Sequence, residues 1–147
     1  IPLALYGRAP NWLTAAVAVQ ALPAAFYLFD ARLGWVEAPR LGWGHPSPDA
    51  PLQVTVARGA GWARLDCSLP EAYLDLAEAG ALALPEVDSP GLVLNGKLPH
   101  WLAAALARRY AEREWLAVAQ VRLPGAVIVR SRTLARCVGT LVGTGGT

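Results

Sequence analysis

The sequence GKLPHWL at residues 96–102 has a counterpart near the start of the chain, where residues 7–13 read GRAPNWL. Both segments place glycine, a basic residue, proline, tryptophan and leucine in the same order and at the same spacing. Each segment follows a short apolar run and precedes alanine-rich sequence that favours a helix. We therefore predict an internal duplication in this chain.

Each repeated segment is typical of a strand that turns directly into a helix. Glycine permits a sharp turn at the end of a buried strand, and proline fits the first helical turn, where its missing N–H is not needed. The free N–H groups of such a helix start attract an anion, and Arg8 or Lys97 stands beside them in the sequence. We expect each of the two turns to bind a phosphate group.

The composition indicates a folded chain with a substantial core. Of its 147 residues, 54% are hydrophobic and only 16% are charged, which fits one domain or two small halves that share a core. A net charge of +2 argues against a long nucleic acid as the partner but permits a small anionic ligand.

The cysteines and the apolar segments bear on location. Cys67 and Cys137 have no C-x-x-C spacing, so neither a disulfide framework nor a zinc site is indicated, and a cytoplasmic location is expected. The apolar segment 12–29 is interrupted by Gln20 and Pro23, so we expect no membrane partner and no membrane-spanning helix. No secretory signal is visible at the N-terminus.

Apolar runs and turn residues predict two units with the element order β-α-β-β. The first unit is predicted to have strands at 2–6, 25–29 and 35–38 and a helix at 10–22. The second is predicted to have strands at 91–94, 115–119 and 126–131 and a helix at 98–110, with spacing typical of an amphipathic packing helix.

The remaining segments give the predicted domain organisation. Strands at 52–57 and 62–67 form a hairpin, and a helix follows from Ser68 to about Gly80, where Ser68 and Glu71 suggest a capping box. The Pro- and Gly-rich segment 39–51 is interpreted as a linker or surface loop outside either core, and the glycine-rich tail as frayed. The domains are thus a partial unit at 1–40, a linker at 41–51 and a full unit at 52–147.

The segment 91–131 resembles the third class of CRISPR-associated ring nucleases, which are distant relatives of the CARF sensor domains. The resemblance rests on LVLNGKLPHWL at residues 92–102 and LAVAQVRLPGAVIVRS at residues 116–131, and it extends back to Leu52. The first 40 residues resemble the core of a second unit. The implied fold class is α/β, with two related β-α-β-β units that form a CARF-like pseudo-dimer in one chain.

The resemblance also implies a function. Members of that family bind cyclic tetra-adenylate of type III CRISPR signalling, associate around it and linearise it with manganese. Their D-P-R-L-G turn is matched by DARLG at residues 30–34 and by QVRLP at residues 120–124, so both arginines persist but only Asp30 keeps the acid. The family histidines are absent, because Ala111, Ala21 and Arg132 occupy the matching positions.

Three hypotheses follow: a ring nuclease, a protein that senses or sequesters the same ligand without turnover, and an interaction subunit with no nucleotide site. Attack by a ribose 2′-hydroxyl needs alignment, charge stabilisation and a base, and arginine is not a usual base. Each candidate also has a structural interpretation: Asp30 as a turn residue, His100 as a helix-start residue, and Trp12 and Trp101 as core residues. The catalytic candidates are Asp30, Arg32 and Arg122, the ligand-binding candidates are Gly7, Arg8, Asn11, Trp12, Gly96, Lys97, His100, Trp101, Ser131 and Arg132, and no metal ligand is predicted.

Overall fold

The N-terminal part of the chain forms a three-stranded sheet with one helix. A computed structural model describes residues 2–7, 9–71, 74–120 and 122–143. Strand β1 is parallel to β2, and β3 is antiparallel to β2, in the sheet order β1-β2-β3. The elements are β1 (Leu3–Leu5), α1 (Asn11–Gln20), β2 (Phe26–Asp30) and β3 (Gly34–Glu37). Each boundary lies within two residues of the one that the sequence predicted.

The C-terminal part forms a six-stranded sheet in the order β11-β10-β9-β8-β6-β5. Strands β6, β8 and β9 are mutually parallel, and β5, β10 and β11 are antiparallel to their neighbours. Its elements are β5 (Gln53–Gly59), β6 (Trp62–Ser68), β8 (Gly91–Asn95), α2 (His100–Arg109), β9 (Trp115–Ala119), β10 (Gly125–Ser131) and β11 (Leu141–Gly143). The protein is thus a mixed α/β fold, and β8-α2-β9-β10 has the element order and strand directions of β1-α1-β2-β3.

The predicted helix from Ser68 to Gly80 is wrong. Ser68 is the last residue of β6, because it still pairs with Gln53 on β5. The helical turn here is a 3₁₀-helix, Leu76–Ala81, whose start is capped by Asp75. The Asp75 side chain accepts a hydrogen bond from the Ala77 N–H at 3.0 Å, and Glu78 completes the capping box.

Two further interpretations from the sequence need correction. Leu41 is only 1% exposed within the main core, and β4 (Gly42–Trp43) pairs in parallel with β7 (Ala83–Leu84), so residues 41–43 are not a surface linker. The boundaries at 40 and 52 stay a prediction. The tail is not frayed at 141–143, because these residues pair with β10 as strand β11. Residues 144–147 lie outside the described part of the chain.

One apolar core runs through both units and centres on the two helices. Helix α1 packs against α2 and against β9 and β10. Helix α2 is consequently buried along residues 101–107, where the sequence suggested an amphipathic helix with one open face. Within the described residues, neither helix has the length that a bilayer crossing requires.

Candidate ligand-binding cleft

A cleft of about 500 Å³ opens where the carboxyl ends of the parallel strands meet. Strand β2 ends at Asp30, β6 ends at Ser68, and the turn after β8 carries Lys97. All three residues line the cleft together with Arg32 and Trp101. The carboxyl ends of parallel strands are the usual place for ligands in open α/β sheets. Both units therefore contribute walls to one cavity.

The start of α2 lines this cleft, and the start of α1 lies beside the start of α2. Pro10 (φ −63°, ψ 154°) and Pro99 (φ −61°, ψ 148°) occupy equivalent cap positions, and neither helix start is capped by a side chain. The Asn11 Nδ2 donates a hydrogen bond to the Leu98 carbonyl at 2.9 Å, which joins the start of α1 to the start of α2. Uncapped N–H groups at adjacent helix starts favour a negatively charged group.

The glycines of the two turns adopt backbone angles that other residues avoid. Gly7 has φ +115° and Gly96 has φ +149°. A Cβ at Gly96 would also lie 2.2 Å from the Cys67 carbonyl oxygen, whereas a Cβ at Gly7 would meet nothing within 4 Å. The turn after β8 is therefore held tightly against the end of β6. Arg8, the basic residue of the first turn, lies outside the described residues.

Asp30 closes the turn between β2 and β3. Its Oδ1 accepts hydrogen bonds from the Arg32 N–H at 2.8 Å and from the Leu33 N–H at 3.1 Å. The residue is only 7% exposed, although it lines the cleft. This geometry gives Asp30 the turn-forming role that its residue type favours. It also fixes the position of Arg32.

Cys67 lines the cleft but is not suited to act as a nucleophile. Burial, reinforced by the negative charge of the neighbouring Asp66, raises the pKa of the Cys67 thiol to about 12. The reactive form of cysteine is the thiolate, so the thiol is inert near neutral pH.

A polar network that the sequence analysis missed fixes the strands beside the cleft. Asp66 receives hydrogen bonds on Oδ1 from the Arg64 Nε and from the Asn95 Nδ2, both at 2.8 Å. Partial burial acts to raise the pKa of Asp66, but these hydrogen bonds and the Arg64 charge outweigh it, so the pKa lies below its ordinary value. The network joins β6 to β8 just before the Gly96 turn. Arg64 and Asp66 alternate on β6, which is the one signal the sequence offered.

An aromatic cluster lies in the N-terminal unit, outside the residues that line the cleft. The ring centroids of Tyr6 and Phe29 are 4.9 Å apart, and those of Phe29 and Trp35 are 5.6 Å apart. Tyr6, Gly7, Phe29 and His100 line a second cavity of about 490 Å³, in which the His100 Nε2 lies 3.2 Å from the Phe29 carbonyl oxygen. Sequence reasoning missed this cluster, although aromatic residues outside the core-facing positions of β2 and β3 could have indicated it.

The predicted tryptophans are less accessible than this cluster. Trp101 is 2% exposed and belongs to the main core, and Trp12 is half-buried against the same core. Their burial agrees with the structural interpretation of both residues.

Gly7, Asn11, Trp12, Gly96 and His100 are not among the residues that line the cleft, and three more predicted residues have other surroundings. Arg132 forms an exposed ion pair with Glu112, with its Nη2 2.7 Å from Oε2, and this hydrogen bond lowers the pKa of Glu112. Ser131 bonds locally to the backbone of Thr133. Arg122 is exposed in the turn between β9 and β10. None of the three is among the residues that line the cleft.

The described residues do not fit a manganese site. In the ranges 2–7, 9–71, 74–120 and 122–143, no three side chains of His, Cys, Asp or Glu cluster as metal ligands would. Asp30 supplies the carboxylate of the cleft, and its Oδ1 already accepts two backbone hydrogen bonds. A single carboxylate provides too few ligands to hold a divalent cation.

The C-terminal part of the chain has a known family. Residues 68–143, from the end of β6 through β11, match the family described as CRISPR-associated protein (Cas_csx3). The match covers just over half of the chain, and the chain therefore belongs to this CRISPR-associated family. No individual curated protein is significantly similar to it.

Proposed function

We propose that this protein binds a cyclic oligoadenylate of type III CRISPR signalling, with cyclic tetra-adenylate as the first candidate, in the cleft between its two units. One observation carries the proposal: Arg32 from the first unit and Lys97 from the second line the same cavity at the carboxyl ends of the parallel strands. Membership of a CRISPR-associated family supports it.

The chemistry of the cleft suits phosphate groups. Arg32 and Lys97 supply positive charge, and the uncapped start of α2 supplies backbone donors beside them. Charge-assisted hydrogen bonds to phosphate are about twice as strong as neutral ones. Asp30 is the opposing charge, and it is held by its own turn.

The repeated element order supports a ligand with repeated chemistry. In our proposal the two β-α-β-β units form a CARF-like pseudo-dimer, and a ring of identical nucleotides presents its phosphates to two similar turns. In the first unit, the Tyr6–Phe29–Trp35 cluster has two exposed rings, those of Tyr6 and Trp35, on which adenines would stack. Stacking on aromatic side chains is a common way to hold unpaired bases.

Linearisation of the ring would use attack of a ribose 2′-hydroxyl oxygen on the adjacent phosphorus, which breaks the bond to the 5′-oxygen, leaves a 2′,3′-cyclic phosphate and releases a 5′-hydroxyl that has taken up a proton. Arg32 and Lys97 would stabilise the developing negative charge, and binding in a fixed geometry would align the hydroxyl. The base is the weak part, because Oδ1 of Asp30 accepts two backbone bonds and the His100 Nε2 faces a carbonyl. This engagement favours the alternative that the protein senses or sequesters the ring without turning it over.

Labelled cyclic tetra-adenylate, with and without manganese, tests the proposal when retention and product are followed together. Lys97→Ala and Arg32→Ala should each weaken retention at least about 10-fold, the loss expected for one charged contact to phosphate. Arg58→Ala removes the same charge from β5, outside the residues that line the cleft, and should change nothing. Unchanged retention in both cleft variants would remove the nucleotide assignment.

Asp30→Asn separates turnover from folding. The amide retains Oδ1 as the acceptor for the Arg32 and Leu33 N–H groups but carries no charge. Product formation that is lost in Asp30→Asn, with retention unchanged, supports a nuclease with Asp30 in the chemistry. Intact ligand recovered from the unmodified protein supports the sensor or sequestering alternative.

A further inference from the structure

A third cavity, of about 640 Å³, lies at the other end of the two helices. Leu22 and Pro23 follow α1 there, and Arg108 and Arg109 end α2. A ten-residue helix is about 15 Å long, so this cavity is well separated from the cleft at the helix starts. Neither the family match nor the proposed function assigns it a role.

The lining of this cavity has an excess of positive charge. Three guanidinium groups, those of Arg40, Arg108 and Arg109, line it together with one carboxylate, that of Glu37. Partial burial lowers the pKa of Arg108, and the negative charge of Glu37 acts in the opposite direction. Arginine stays charged under all ordinary conditions, so the cavity carries more positive than negative charge.

Two of these arginines are held in place before any ligand arrives. Arg108 donates from Nη1 to the Ala18 carbonyl at 2.9 Å and from Nη2 to the Ala24 carbonyl at 2.7 Å. Arg109 stacks on the ring of Trp43, with its guanidinium carbon 4.3 Å from the ring centroid. Fixed guanidinium groups lose little side-chain entropy when an anion binds.

Arg109 also has an unmet hydrogen-bonding need. Its Nε is buried and has no hydrogen-bond partner among the described residues. A buried charged donor without a partner destabilises the structure by more than a neutral one would. Because this Nε has almost no accessible surface, an anionic oxygen in the cavity would meet the other guanidinium nitrogens of Arg109.

We propose that this cavity binds a small molecule through a terminal phosphate or pyrophosphate group. Its volume falls within the range of small-molecule sites, about 300–1,000 Å³. The apolar residues Leu22, Pro23 and Leu41 line the part that would face the uncharged portion of the ligand. The site joins both units, since Glu37 ends β3 and Arg40 follows it, whereas Arg108 and Arg109 belong to α2.

Calorimetric titration of the full chain with inorganic pyrophosphate at near-physiological salt tests this site. Arg40→Gln and Arg109→Gln should each weaken binding by about 5–10-fold, since each removes a charged donor. Glu37→Gln removes the opposing carboxylate and should strengthen binding by about 2–5-fold. A gain in affinity is an effect that general damage to the fold would not produce.

Arg113→Gln is the matched control. Arg113 also has a buried Nε without a partner and lies over the Tyr110 ring at 5.8 Å, but it is not among the residues that line this cavity. Equal losses in Arg113→Gln and Arg40→Gln would mean diffuse attraction to surface charge and would overturn the site. An absence of pyrophosphate binding would overturn it as well.

Lys97→Ala separates this site from the cleft of the proposed function. If pyrophosphate binding falls in Lys97→Ala and persists in Arg40→Gln, the anion occupies the cleft and this proposal fails. If pyrophosphate binding persists in Lys97→Ala and falls in Arg40→Gln, the site at Arg40 is supported, independently of the result for cyclic tetra-adenylate.

Discussion

The two β-α-β-β units share an element order but differ in what covers the outer faces of their sheets. In the three-stranded sheet the outer face carries the aromatic cluster, with Tyr6 71% exposed and Trp35 55% exposed. In the six-stranded sheet Val93, Ala117 and Ile128 on that face are buried in a second apolar cluster. The two units therefore share one strand connectivity, but only the larger sheet has an outer face that is closed to solvent. The additional strands of that sheet make this difference.

Glycines explain how the larger sheet covers its own outer face. A Cβ at Gly91 would lie 2.0 Å from the ring of Trp115, and a Cβ at Gly59 would lie 2.5 Å from the ring of Trp62. Each indole therefore lies across the neighbouring strand, in space that any other residue would fill. Arg136 stacks on Trp115 at 5.1 Å from above.

The two glycine turns should show the largest difference between the units. Gly96→Ala should lower the free energy of unfolding by about 3–5 kcal/mol, because it combines a strained φ with a clash against the Cys67 carbonyl. Gly7→Ala meets no atom within 4 Å and should cost about 1–2 kcal/mol. Urea denaturation of both variants measures this, and equal losses would mean that the two turns are equally restrained.

The C-terminal end of α1 depends on arginines from the other unit. Arg108→Ala removes the Arg108 donor from the Ala24 carbonyl and one of the donors to the Ala18 carbonyl, which keeps the Ala21 N–H at 3.3 Å, and should lower the free energy of unfolding by about 1–3 kcal/mol. Arg130→Ala removes one longer bond, to the Val19 carbonyl at 3.2 Å, and should cost less. Thermal denaturation measures these losses, and Arg132→Ala, which breaks only an exposed ion pair, is the control with the smallest expected loss. If Arg108→Ala is as stable as the unmodified protein, the C-terminal end of α1 does not depend on the hydrogen bonds from Arg108.

The hairpin turns of the two units should differ by a smaller amount. Asp30→Ala removes the acceptor of two backbone N–H groups and should cost about 1–2 kcal/mol, whereas Asp30→Asn retains that acceptor and should cost about 0.5 kcal/mol. Gln120→Ala at the matching position of the second unit should have almost no effect. A loss in Gln120→Ala as large as that in Asp30→Ala would show that both turns depend on their first side chain.

We expect the smallest effect on stability to come from the protonation of Asp66 at low pH. The lowered pKa of Asp66 means that its contribution to stability is present above the ordinary carboxyl pKa, about 4, and is lost as the pH falls through the pKa of the folded protein. Denaturation midpoints at pH 6, 4 and 3 should therefore fall less steeply in Asp66→Asn than in the unmodified protein. Identical slopes would mean that the network between β6 and β8 does not respond to charge.

Sequence patterns predicted the helices and strands that are determined by their own residues. The G-x-x-P turns and the apolar runs predicted both β-α-β-β units, because backbone freedom and burial are written into those residues. The helix at Ser68 was wrong because pairing with Gln53 extends β6 through its supposed cap. Strand β11 was missed because its pairing depends on a glycine of β10: a Cβ at Gly125 would lie 2.2 Å from the Val142 carbonyl oxygen.

Of the two repeated segments, the second contributes residues to the cleft, whereas Gly7 of the first lines the cavity beside the aromatic cluster. Lys97 and Arg32 line one cleft, which the repeated turns and the matching hairpin motifs indicated. Arg132 was drawn from the family pattern, but it pairs with Glu112, a partner that no local spacing could reveal. The Tyr6–Phe29–Trp35 cluster depends on which sheet face stays uncovered, and that is decided by strands distant in sequence.

Both walls of the cleft come from a single polypeptide, and this changes how the site responds to dilution. When two separate chains must meet to form a pocket, the pocket disappears once the concentration falls below their dissociation constant. Here the bond from Asn11 to Leu98 and those from Arg108 to the end of α1 close within one molecule, at an effective concentration set by the connecting segment. A few copies in a cell would present as complete a cleft as a crowded solution does.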